Sequence, residues 1–136
     1  MENRTLPNEI LLEEVGALLR EGREVSFTPK GTSMLPFIRG GRDSVTLKKL
    51  DKVEVGDIIL VRLQNSHYVL HRVVSNNNGA LVIMGDGNIA CTESCQEKDV
   101  MGTAILVNGH KPSKGRLWRW FKPVRRYLLG IYRRLI

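Results

Sequence analysis

Three residues of this 136-residue chain carry side chains that together could perform acyl transfer: Ser33, His71 and Asp86. Ser33 lies in the turn-forming run Gly31-Thr32-Ser33-Met34-Leu35-Pro36, His71 in Tyr68-Val69-Leu70-His71-Arg72-Val73-Val74, and Asp86 in Gly85-Asp86-Gly87-Asn88. A serine hydroxyl is a weak nucleophile until a neighbouring base removes its proton, and a positioned base is worth roughly 10²–10⁴ in rate. Gly31 lets the backbone approach a substrate closely, and Pro36 stiffens the exit from the turn. Such a turn can aim the Ser33 hydroxyl and amide at one carbonyl, the amide acting as oxyanion donor. Each residue also has an ordinary reading. Ser33 then caps a turn, His71 makes a structural hydrogen bond on a half-buried strand, and Asp86 satisfies turn amides. It is the order and spacing of the three that favour chemistry.

The elements that must position these groups are mostly strands. Pro7 to Arg20 reads as an amphipathic helix, with Leu11, Val15 and Leu18 on one face and Gly22 as a stop signal. Glu24–Thr28, Asp43–Leu47, Asp57–Leu63, Tyr68–Ser75, Ala80–Met84 and Val100–Val107 are short apolar runs separated by turn formers such as Asn76-Asn77-Asn78-Gly79. No helical crossover separates them, which excludes a parallel α/β sheet and predicts a mainly β fold, a coiled antiparallel sheet or partly open barrel. Strand parity groups His71 with His67, Val69 and Val73, while Tyr68, Leu70, Arg72 and Val74 face the other way.

The length suits one core. The formal net charge of +7 is concentrated at one end: nine of the 21 Lys and Arg residues, and none of the 14 acids, fall within 110–136. The chain therefore divides into a body, 1–109, and a basic tail, 110–136. Within the tail Leu117, Phe121, Val124, Leu128, Ile131 and Leu135 form an apolar helical stripe among arginines and aromatic rings. Residues 116–136 thus suit a helix lying on an anionic membrane surface, with docking on the body as the alternative. No recognisable nucleic-acid-binding module accompanies the basic cluster, so a nucleic-acid partner is not expected. Cys91 and Cys95, without clustered histidines, make a poor zinc site and read as inert or solvent-exposed thiols, with a disulfide, then a redox or metal role, as the alternatives. No metal or organic cofactor is implied. The absence of an apolar N-terminal run or a stretch of about 20 apolar residues predicts a cytoplasmic body, peripheral at the membrane through its tail.

Five segments in order, Gly31-Thr32-Ser33-Met34-Leu35-Pro36, Val55-Gly56-Asp57-Ile58-Ile59-Leu60-Val61, His71-Arg72-Val73, Gly85-Asp86-Gly87-Asn88 and Lys98-Asp99-Val100-Met101-Gly102, resemble the signal peptidase I and LexA superfamily of serine peptidases. The resemblance spans roughly residues 25–107. It implies Ser33 as nucleophile and His71 as general base, similar to the branch that uses histidine where other members have lysine. It implies an extended leader or precursor peptide as substrate. Three departures stand out. The further acid of the histidine branch falls at Thr92, with Glu93 adjacent, leaving Asp86 or Glu93 to orient His71. Gly31 replaces a hydroxyl residue that often assists the oxyanion, which leaves main-chain donors aided by Thr32, and no amino-terminal anchor of the signal-peptidase kind is expected. The rival expectations are a non-catalytic peptide-binding module on the same fold and a self-cleaving LexA-like regulator.

Overall fold

A computed structural model describes residues 3–5, 9–29, 34–63, 68–87, 92–115, and 129, 131 and 134. The fold is mainly β, a curled half-barrel sheet with one short helix packed against it. The helix α1 spans Glu9–Arg20. The strands are β1 (Asn3–Thr5), β2 (Val25–Thr28), β3 (Val45–Lys48), β4 (Ile58–Arg62), β5 (Tyr68–Asn77), β6 (Ala80–Met84), β7 (Glu93–Gln96) and β8 (Val100–Val107). Their order in the sheet is β1-β2-β3-β8-β4-β5-β6-β7. Strands β2 to β8 pair antiparallel throughout, and β1 adds itself parallel to β2. The short β1 and β7 were not expected from sequence. Neither carries the run of branched apolar residues that marks an interior strand, and both occupy sheet edges.

Why α1 stops is visible in its last turn. Gly22 adopts φ +85, the Arg23 amide donates to the Leu18 carbonyl and the Gly22 amide to Leu19, which closes the helix with a left-handed cap. Pro7, expected to open the helix, lies outside the described residues. Val15 and Leu19 are buried and Leu18 packs beside them. Leu19, absent from the expected stripe, is thus one of the helix's main core contacts. It rests over Gly102 of β8, where an added Cβ would stand 2.9 Å from Leu19 Cδ1.

Strand β4 separates two apolar cores. Ile58 and Leu60 join Val15, Leu19, Phe27, Met34 and Leu47 on the helix side. Ile59 and Val61 join Val73, Leu81, Ile83 and Val100 on the other. Burial on both faces is why Ile58-Ile59-Leu60-Val61 is continuously apolar rather than alternating. The hairpin β5–β6 sets the geometry that matters most. Asn78 and Gly79 both take positive φ, 52 and 92, the two-residue turn whose twist matches a hairpin. That turn places Asn77 opposite Ala80 and, past a bulge after Val73, Arg72 opposite Met84. Asp86 therefore emerges just beyond β6, level with the middle of β5.

Candidate active site

His71 and Arg72, neighbours in β5, leave opposite faces of the sheet and have different surroundings. His71 pairs with Ile59 across β4 and is only 6% exposed. Glu93, at the start of β7, brings Oε1 to 3.3 Å from His71 Nδ1. The ring N–H does not point at that oxygen, so Nδ1 has no hydrogen bond among the described residues. The contact is an electrostatic one, ready to strengthen if the imidazole gains a proton. Burial holds the His71 pKa below its usual value near 6.5, opposed first by the Glu93 charge and then by that of Asp86.

Arg72 is fully buried, 0% exposed, and its guanidinium is almost completely engaged. Nε donates to Asp86 Oδ1 at 2.8 Å and Nη2 to Asp86 Oδ2 at 2.7 Å, a bidentate pair. Nη1 donates to the Gly56 carbonyl at 2.8 Å and to the Ser113 carbonyl at 2.6 Å. The Phe37 ring lies 4.9 Å from the guanidinium carbon. The Asp86 amide in turn donates to Met34 Sδ at 3.4 Å. A chain of contacts therefore links the Met34 segment, the β5 strand and the Gly85–Gly87 turn. The Leu35–Pro36 peptide between Met34 and Phe37 is cis.

The structure thus divides the two expected acids. Asp86, expected to orient His71, lets each carboxylate oxygen accept from Arg72 and influences the imidazole through its charge. Glu93 is the carboxylate at His71 Nδ1. In the sequence Arg72 is legible only as a residue on the strand face opposite His71. Its counter-ion becomes apparent only through the hairpin register. Ser33 and Thr32 lie outside the described residues, as does the Ser33–His71 separation.

A cleft of about 850 Å³ runs along β7, bounded by Arg62, Leu63, Leu81, Cys95, Lys98 and Asp99 among others. Neither His71 nor Glu93 lines it. Cys95 is free, and its thiol pKa is pushed up to about 11 by burial and by the charges of Asp99 and Glu93. Cys91, its partner in the disulfide alternative, lies outside the described residues. Among the described residues, no group of His, Cys, Asp and Glu could hold a metal ion. No helix among them is long and apolar enough to cross a membrane.

Most of the basic tail, including Leu117, Phe121, Val124, Leu128 and Leu135 of the expected stripe, lies outside the described residues. Leu129, outside that stripe, is buried to 1% exposure, whereas Ile131, within it, is 57% exposed. Residues two apart on a helix project about 200° from one another, so the inward face at this point is centred on Leu129 rather than Ile131. Comparison with models of known protein families and with curated proteins returns no match.

Proposed function

We propose that the chain is a small serine endopeptidase built on a signal-peptidase-like β fold, with Ser33 as nucleophile and His71 as general base. The observation that carries this reading is the setting of His71: a buried imidazole whose pKa is lowered, with a carboxylate against Nδ1. A base must be neutral to accept the serine proton, and burial keeps it so at neutral pH. Once protonated, it needs a nearby negative charge, and Glu93 supplies one. The contact between Met34 and Asp86 ties the segment that follows Ser33 to the turn beyond β6 on the Arg72 side of β5, so it bears on how that segment is seated and not on the Ser33–His71 pairing.

In this mechanism an extended peptide presents its scissile carbonyl to Ser33. His71 takes the hydroxyl proton during attack and returns it to the leaving amine. Amides of the Ser33 turn stabilise the oxyanion. Water then attacks the acyl-enzyme with His71 again as base, releasing the second product. Glu93 orients and stabilises the imidazolium, while Asp86 and Arg72 hold the surrounding turns. Peripheral attachment of residues 116–136 to an anionic membrane belongs to the same proposal, and salt-sensitive co-sedimentation with anionic vesicles checks it.

The test is covalent labelling with a fluorophosphonate probe. Labelling of the full chain that disappears in Ser33→Ala and in His71→Ala supports the peptidase. A folded protein that never labels points instead to a peptide-binding module. Loss of intact mass on incubation of the protein alone points to self-cleavage.

A further inference from the structure

The segment Ser113–Gly115, in the first part of the basic tail just beyond β8, is seated on the body more firmly than its linker-like composition suggests. The Ser113 carbonyl accepts from Arg72 Nη1 at 2.6 Å, and the Gly115 amide donates back to Ser113 Oγ at 3.0 Å. Lys114 Nζ reaches Asp57 Oδ1 at 2.5 Å and Glu54 Oε2 at 3.4 Å. Two glycines make the close fit. Gly56 has φ +98, and a Cβ there would stand 3.0 Å from the Lys114 carbonyl oxygen and 2.9 Å from Lys114 Cβ. Gly115 has φ +66, and a Cβ there would stand 2.8 Å from Arg72 Cζ. Neither position accepts a side chain while the segment stays seated.

What the segment covers is the buried hub of the candidate site. Arg72 has no solvent exposure, and a guanidinium in that state requires protein acceptors for its donors. Two Nη1 bonds go to carbonyls, of Gly56 and Ser113, and the segment supplies one of them. Lifting it would expose Arg72 to water and loosen the bidentate grip on Asp86. The amide of Asp86 is in turn the donor to Met34 Sδ.

We propose that Ser113–Gly115 is a strap through which the C-terminal tail governs the candidate site: seated on Arg72, it keeps the Asp86–Met34 contact ordered and the site competent; lifted, it releases both. The regulatory half of this inference rests on the peptidase reading, whereas the ordering half does not. Because the strap leads directly into residues 116–136, a ligand that draws on those residues would act on Arg72 through the strap.

The full chain is compared with Gly115→Ala and Lys114→Gln by amide hydrogen exchange at Asp86 and by fluorophosphonate labelling rate. Gly109→Ala is the control. Gly109 also has positive φ, +79, but a Cβ there meets nothing within 4 Å. The strap predicts about tenfold faster exchange at Asp86 and slower labelling in both strap variants, with Gly109→Ala like the parent. Unchanged exchange at Asp86 in both strap variants overturns the proposal. Faster exchange with labelling as rapid as the parent's overturns the regulatory half. Faster exchange in a protein whose parent never labels upholds the strap's ordering role and refutes the peptidase reading instead.

Discussion

Replacing Glu93 by Gln tests the electrostatics around His71 with little change of shape. With Oε1 3.3 Å from Nδ1, full charges would attract by about 1.3 kcal/mol in bulk water and about 5 kcal/mol at an effective dielectric of 20. The Glu93 side chain is 36% exposed, so screening places the interaction near the lower figure. In the proposed mechanism an imidazolium forms as Ser33 attacks, so loss of about 1.3 kcal/mol corresponds to about tenfold slower labelling by a fluorophosphonate. The pH profile adds a second, signed expectation. The Glu93 charge raises the His71 pKa against the larger lowering by burial. Removing it lowers that pKa further, so the acid limb of the labelling rate moves to lower pH while the plateau falls. Folding follows the same sign. The His71 pKa is lower in the folded state than in the unfolded chain, so its contribution to stability is present above about 6.5 and is lost as pH falls through the folded value. A Glu93→Gln protein that labels at the parental rate with an unmoved acid limb would refute this account of the pair.

Other substitutions probe the framework. Asp86→Ala strands a buried guanidinium, so urea denaturation should show about 3–5 kcal/mol lost stability, and any loss of labelling in this variant reflects folding as well as chemistry. Leu19→Ala should cost about 2–5 kcal/mol in the same assay, because it opens a cavity between α1 and β8. In a Cys91→Ser background, Cys95 should alkylate far more slowly with iodoacetamide at pH 8 than a free thiol, recovering in denaturant, since its pKa near 11 leaves about a thousandth of it as thiolate.

How legible these features are in the sequence depends on how local their causes are. Strands β4, β5, β6 and β8 announce themselves because interior strands need branched apolar residues, and Asn78-Gly79 announces the hairpin because few pairs accept two positive φ angles. Glu93-Ser94-Cys95-Gln96 offers only faint alternation, Glu93 and Cys95 half-buried and Ser94 and Gln96 exposed, so β7 passes for loop until β6 is there to pair with it. Glu93 is visible as an acid near the expected position, but not as the one at Nδ1. Arg72 is the least legible residue of all. Nothing adjacent to it says that it is buried, and its counter-ion depends on a register established many residues away. The strap is similarly hidden, because Lys-Pro-Ser-Lys-Gly has the composition of a solvated linker and acquires partners only from the turn at Gly56 and from β5.

The place of β8 in the sheet has a consequence for biogenesis. As the last strand among the described residues it lies between β3 and β4, bonded to both, and no other described strand bridges those two. Until residues 100–107 have left the ribosome, the nascent chain holds two unconnected sheet fragments, each with an open edge facing the gap. Completion waits on a strand that must thread into the middle rather than add to a margin, and such long-range closure is slow. A chain interrupted upstream of Val100 is thus left with two adhesive edges, a natural substrate for chaperones and for degradation.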